Sequence, residues 1–407
     1  MPLVLLRLWW RGRKQPAYRE RWWQRLGCVP EQSGPQPIWI HAVSVGETLA
    51  IVPLVKLLLQ RHPDIPIIMT TMTPTGAERV RAAFGNDVQH FYCPYDVPWA
   101  VNRFLKRIDP RVCMVVETEL WPNLINCCDG HKVPSLLVNA RLSERSARGY
   151  RRFSGVTRPM LQQLSYVVAQ DQPGADRFVA LGLPEDNLFV NGSIKFDVAV
   201  PQGLEEESRH LRHQWGECRP VLIAASTHDP EEEQLLQVFR LLLQTCEDLV
   251  LVIVPRHPDR FDEVAAVIEA ADFEYCRRSS GTEPTSATQV YLGDTMGELV
   301  LLYAASDIAV VGGSLIERGG HNPLEPAFLG KPVIMGPHVF NFEEICERLQ
   351  KRGGLSIVQD KDAMAATIKK LLEEEQCRRD MGQKGRTFVE ENKGALERLY
   401  KTVDRWL

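Results

Sequence analysis

Gly312 to His338 reads GGSLIERGGHNPLEPAFLGKPVIMGPH, and the punctuation of this stretch decides the fold class. The run before it, Asp307 to Val311 (DIAVV), is short, apolar and β-branched, as expected of a strand buried on both faces. PVIMG, after Gly330, is a second such strand, so strand, turn, helix and strand make one unit of a parallel sheet. The glycines let the chain turn tightly and bring its backbone close to a ligand. Asn322 suits an N-cap, Pro323 the first helical position, and Glu325 stands three residues after the cap, as a capping box requires. A glycine-rich turn feeding a helix leaves N–H groups with partial positive charge, here expected over Gly319 to Asn322, and such groups can hold a phosphate. Glu325 then has two readings, a helix cap or an acceptor for a ribose diol.

The same alternation runs outward in both directions. From residue 37 it goes PIWIHAV, PIIMTT, VQHFYCPYD, VCMVVET, SLLVNA, YVVAQ and LFVNG, with an amphipathic helical stretch between successive strands. SIKFDVAVPQGLEEE breaks the rhythm and marks a domain boundary. A second series follows: PVLIAAS, LVLVIVPRH, FEYCRR, QVYLGD, IAVVGG, PVIMGP and LSIVQD. The expectation is an α/β chain of two Rossmann-like domains that face a central cleft, with ligands beyond the carboxyl ends of the strands. Its divisions are a basic, aromatic segment over 1–26, a first domain over 27–195, a second over 196–385, and a C-terminal helix over 386–407 that packs back toward the first domain.

The chain has 407 residues and a formal net charge of -4, so nothing in its overall charge draws it to nucleic acid. Locally the N-terminus differs, because Met1 to Leu26 carries seven Lys or Arg and one acid, Glu20, among Trp9, Trp10, Tyr18, Trp22 and Trp23. That mixture suits the interface of an anionic membrane. MPLVLLRLWW is too short to span a bilayer, which takes about twenty apolar residues, and is read as an interfacial anchor, or the stub of a longer one, on the cytoplasmic face. The competing reading is a surface helix whose tryptophans pack on the protein's own core. Ten scattered cysteines without CxxC spacing fit free thiols better than disulfides or a zinc site, and no metal or cofactor is expected.

Candidate chemistry gathers where strands end. In HAVSVGET, Glu47 is an acid or base candidate beside a glycine, although Ser44 and Glu47 also fit a capping box. A helix N-terminus is expected to lower its pKa and keep it ionised. Glu117 and Glu119 in ETELWPN, one residue apart in an extended segment, are expected to point the same way. Asn139, Arg141, Arg145, Arg148, Arg151 and Arg152 build a basic edge for acidic lipid or for solvent. In the second domain, Ser226 of STHD and Arg256 with His257 of PRH end two strands, and a guanidinium binds phosphate or carboxylate in bidentate fashion. GDTMGE around Met296 supplies further amides, with Thr295 and Glu298 at capping-box spacing.

HAVSVGETLA, TTMTPTGAERV, ETELWPN, NARLSERS, GSIKFD, STH, VPRHPDRF, GDTMGEL and GGSLIERGGHNPLEPA, in this order, resemble the Kdo transferases of lipopolysaccharide synthesis from about residue 7 to about 350. The resemblance implies the GT-B glycosyltransferase fold and a CMP-Kdo donor. It also implies a lipid A precursor (lipid IVA) as acceptor, at the cytoplasmic face of the inner membrane, and inversion without a metal. It places the proposed base on Glu47, a second carboxylate on Glu117 or, preferentially, Glu119, and nucleotide contacts on Asn322, Glu325 and Arg256. Ser226, His257, Met296 and Gly320 complete the expected donor site, with Lys195 and Arg318 as further cations. The alternatives are a sugar-nucleotide epimerase or hydrolase on the same plan, or another GT-B glycosyltransferase.

Overall fold

The computed structural model describes residues 16–198 and 200–407. The apolar run MPLVLLRLWW, with Trp9 and Trp10, lies outside the described residues. The chain forms two compact units, one of Met1–Asp197 with Lys393–Leu407 and the other of Val198–Asn392.

The first unit holds a parallel seven-stranded sheet. Its strands are β1 (Ile38–His41), β2 (Ile67–Thr71), β3 (Val88–Tyr92), β4 (Val112–Val116), β5 (Ser135–Ala140), β6 (Tyr166–Ala169) and β7 (Leu188–Val190), in the order β3-β2-β1-β4-β5-β6-β7. Side chains alternate across it. Trp39 packs with Phe104 and Phe178 on one face, while its neighbours Ile38 and Ile40 pack with Val55 and Leu58 on the other. Both faces are therefore apolar and both need helices over them, which is why these strands read as continuous hydrophobic runs. The last helix, Ala395–Asp404, covers the second of these faces with Leu399 and Val403. Its start is fixed by Asp197, whose carboxylate accepts the Gly394 and Leu396 N–H groups at 2.7 Å each.

The second unit repeats the plan with β8 (Val221–Thr227), β9 (Val250–Pro255), β10 (Tyr275–Arg277), β11 (Val290–Leu292), β12 (Ile308–Val311), β13 (Val333–Met335) and β14 (Leu355–Ile357). The order is β10-β11-β9-β8-β12-β13-β14, again all parallel. Helix Glu375–Asn392 belongs to this unit. In each sheet the first strand in sequence lies inside, and the chain leaves it on one side before returning on the other. That reversal creates a switch point, between β1 and β4 in the first unit and between β8 and β12 in the second. The helices beyond such a pair diverge and leave room for a ligand at the strands' carboxyl ends. This is the fold of two Rossmann-like halves expected from the strand and helix alternation.

Candidate functional site

In the first unit, the segments after β1 and β4 bring three carboxylates together. Glu47 lies in the first turn of helix Val45–Arg61, and the spacing S-x-x-E acts as it reads: Ser44 Oγ accepts the Glu47 N–H. The carboxylate turns back, one oxygen accepting the Val43 N–H and the other the Ser44 hydroxyl, both at 2.7 Å. The expected lowering of its pKa does not hold. Burial pushes the Glu47 carboxyl up, the Ser44 and Val43 contacts oppose this, and nearby Glu119 and Glu117 push it further. The helix terminus loses because the side chain is largely removed from water while two like charges face it.

Glu117 and Glu119 do not lie side by side on an extended segment. Glu117 has φ 58°, so the chain turns left-handed directly after β4 and separates the two. Glu119 accepts the Trp121 indole N–H at 2.9 Å, and Glu117 lies 4.0 Å from Lys195 Nζ. Lys195 belongs to the first unit, among these carboxylates. Beneath them His41 is fully buried, hydrogen-bonded to Thr70 Oγ1 at 3.0 Å and edge-on to Trp121; burial lowers its pKa to about 3 and keeps it neutral. Asn139, at φ 52°, is buried at the end of β5, where its Oδ1 faces the Ile194 N–H at 3.5 Å.

In the second unit the switch point joins the segments after β8 and β12. Gly312 is required there, since a Cβ would lie 2.5 Å from the Ser226 carbonyl oxygen. Ser226 itself is buried with φ 58°. Of the amides expected to face a ligand over Gly319 to Asn322, those of Gly320 and His321 are engaged within the turn, and so are three that precede them. Those of Gly313, Ser314 and Leu315 donate to the carboxylate of Glu231, Gly320 donates to the Gly313 carbonyl, and His321 donates to that of Gly312. The helix that follows is also shorter and starts later than expected, at Leu324–Phe328. Pro323 takes the cap position and the capping box does not close: Asn322 Oδ1 accepts the Leu324 N–H, and its Nδ2 donates to Glu325 Oε1, both at 3.1 Å. Burial raises the Glu325 carboxyl, against the pull of Asn322 and Arg256.

What the turn does present is imidazole and guanidinium. His228 and His321 stack with their rings 5.1 Å apart and their Nε2 atoms at 2.8 Å, and His257 meets the His228 ring edge-on at 5.4 Å. Burial, then Arg256 and the neighbouring histidines, lower His321 to about 3. Burial, then His257 and Arg318, lower His228 to about 4. Both rings are neutral at pH 7, so one must donate to the other, and the surrounding cations make the cluster receptive to an anion. Met296 is exposed in the turn ahead of helix Leu299–Ala305. Thr295 and Glu298 do not form a capping box around a helix start at 296. The Thr295 hydroxyl bonds the Glu298 carboxylate, but Arg278 also grips that carboxylate at 2.8 and 3.1 Å and draws it away from the backbone. His228, His321 and Glu231 were not singled out from sequence; only STHD as a strand end pointed to the first.

Comparison with known proteins finds relatives for both units. Residues 20–198 match the family model described as 3-deoxy-D-manno-octulosonic-acid transferase (kdotransferase), and residues 220–388 match glycosyl transferases group 1. A 3-deoxy-D-manno-octulosonic acid transferase of Haemophilus influenzae is 43% identical, over 100% of this chain and 96% of the relative. One of Bordetella pertussis is 36% identical, with coverage of 100% and 96%. Among solved structures, the UDP-GlcNAc 2-epimerase of Neisseria meningitidis superposes with a TM-score of 0.60 at 13% identity, covering 91% of this chain and 100% of its own, a likeness of fold alone. Identity of this extent, carried through both units, makes the chain a member of the 3-deoxy-D-manno-octulosonic acid (Kdo) transferase family of glycosyltransferases.

Proposed function

We propose that the chain transfers Kdo from CMP-Kdo to a lipid A precursor, lipid IVA, with inversion at the anomeric carbon and without a metal. Glu47 takes the proton of a glucosamine hydroxyl as that oxygen attacks the anomeric carbon, and CMP departs with the bonding electrons. A buried carboxyl with a raised pKa is a stronger base than a surface one, and the neighbouring carboxylate, Glu119 or Glu117, favours proton uptake by Glu47. Asn322 and Glu325 meet the nucleotide. Arg256 and His257 meet charge developing on the departing phosphate, helped by Arg318, with Ser226, Gly320 and Met296 around the donor. Lys195, beside Glu117, is in this reading a partner for an anion among the first unit's carboxylates. The observation that carries the donor assignment is the cluster of His228, His257, His321 and Arg256 beside the Asn322–Glu325 pair, at the switch point of a Rossmann-like sheet.

The same proposal places the chain on the cytoplasmic face of an anionic inner membrane. No helix among the described residues is long and apolar enough to cross a membrane. Trp22 and Trp23 are 44% and 48% exposed on a 3₁₀ turn that packs against helix Pro98–Ile108, where Trp99 is also exposed beneath Arg103. A second basic and apolar surface carries Phe153, 67% exposed, and Val156 among exposed Arg145, Arg148, Arg151, Arg152 and Arg158.

Incubation with CMP-Kdo and lipid IVA, followed by mass spectrometry, should show lipid heavier by whole Kdo residues. CMP release without lipid would instead support a hydrolase, and no CMP binding at all would remove the donor site.

A further inference from the structure

We propose that Glu231 is a positioning residue of the donor site: its carboxylate ties the segment after β8 to the glycine turn after β12 and so sets the His228–His321 pair. This rests on the reading above that the donor binds in the second unit. Glu231 is 0% exposed. One of its oxygens accepts the N–H groups of His228 at 3.0 Å and Gly313 at 2.7 Å; the other accepts those of Ser314 at 3.1 Å and Leu315 at 3.0 Å. An ionised carboxylate has about four lone-pair sites, and here all are engaged by donors from two segments distant in sequence. With four N–H groups facing it, a proton on either oxygen would displace one of these bonds.

Glycine turns of this kind commonly cradle a phosphate in their amides. In this chain a carboxylate from the protein itself takes the amides of Gly313, Ser314 and Leu315, so at that part of the turn the anions of the donor fall to side chains instead. Two imidazoles, of His228 and His321, adjoin it. The His228 amide is bound by Glu231 directly. His321 donates its amide to Gly312 and lies against Gly313, where a Cβ would come within 2.9 Å of its ring. A shift of the turn therefore moves His321 relative to His228, whose Nε2 atoms must stay near 2.8 Å to keep their shared proton. The two glutamates that follow differ: Glu232 pairs with Arg260 at 2.7 Å, and Glu233 is exposed.

The test is Glu231→Gln, which keeps the volume but turns an NH2 group toward two of the four N–H donors. The expected result is a KM for CMP-Kdo and a Kd for CMP raised on the order of ten- to a hundredfold, with the KM for lipid IVA unchanged. A role confined to folding would lower Tm and leave the donor KM of the folded protein where it was. In a His321→Ala background the same substitution should add less than about twofold, because the effect travels through the pair. A folded Glu231→Gln protein with donor KM and CMP Kd within about twofold of the parent overturns the inference. If Glu231→Gln does not fold, His228→Ala and His321→Ala serve: donor KM unchanged in both overturns it equally. Failure of the parent protein to bind CMP would point instead at the donor-site reading.

Discussion

Replacing Glu47 by Gln separates its two possible roles, helix cap and base, because the structure assigns them different magnitudes. As a cap, Glu47 uses one oxygen for the Val43 N–H and the other for the Ser44 hydroxyl. Glutamine can keep the first bond with its carbonyl and donate its amide N–H to Ser44 Oγ. The loss is one charge-assisted contact, about 1 kcal/mol, which shifts Tm by about 2–4 °C in a domain of this size. Glutamine also removes a buried carboxyl, which reduces that loss further. As a base it cannot act at all. Positioned base catalysis supplies about 10²- to 10⁴-fold, or about 2.7–5.4 kcal/mol of barrier at 1.36 kcal/mol per tenfold. The expected outcome is therefore a kcat lower by at least about a hundredfold, a near-parental Tm, and an unchanged Kd for CMP, measured by product mass spectrometry, thermal unfolding and calorimetry. The pH profile adds a second readout. Since burial raises the Glu47 pKa, the parent's rate should climb with pH through that raised value, and the variant should lose this limb. Turnover within about threefold of the parent would refute the base assignment, as would a rate loss matched by a loss of CMP affinity.

Asn322→Ala removes the acceptor for the Leu324 N–H and the donor to Glu325, and should raise the CMP Kd about tenfold while costing about 1 kcal/mol in stability. An unchanged Kd by calorimetry takes Asn322 out of the donor site. Arg148→Ser with Arg151→Ser should weaken binding to vesicles containing anionic lipid on the order of tenfold or more, with transfer to detergent-dispersed acceptor unchanged; equal partition in a flotation assay removes that surface from the membrane contact. For His41, the folded pKa of about 3 lies below the unfolded value near 6.5, so the unfolded chain takes up a proton first as pH falls. Its share of stability is present above about pH 6.5 and declines toward pH 3, by about 2 kcal/mol between pH 7 and pH 5. Denaturant titrations at the two pH values should show this loss in the parent, and a His41→Gln protein should show a shallower pH dependence.

The strands were legible because both faces of each sheet are covered. A buried parallel strand such as VCMVV or VLIAA has no polar side to interrupt it, so its apolar run marks it without reference to the rest of the chain. The S-x-x-E spacing at Ser44 and Glu47 was equally readable, since a cap is a local hydrogen bond. Glu117 and Glu119 were misjudged, as no residue in ETELW announces the left-handed turn at Glu117. The hold of Glu231 on the amides of Gly313, Ser314 and Leu315 was illegible for a different reason. In HDPEEE three glutamates look alike, and nothing nearby says that the first would be buried beneath residues more than eighty positions later.

The sequence by itself determined the fourteen strands among the described residues, the two domains, the family and the capping at Ser44 and Glu47, because each rests on short-range periodicity, local hydrogen bonding or ordered motifs. The tertiary structure alone decided which strands are neighbours, and therefore which strand ends share a site. It placed Glu231 in the amide cradle, brought His228 against His321, and raised the Glu47 carboxyl instead of lowering it. Each of these depends on what distant segments do to one group's access to water and to charge, and that depends on packing that no local stretch of sequence contains.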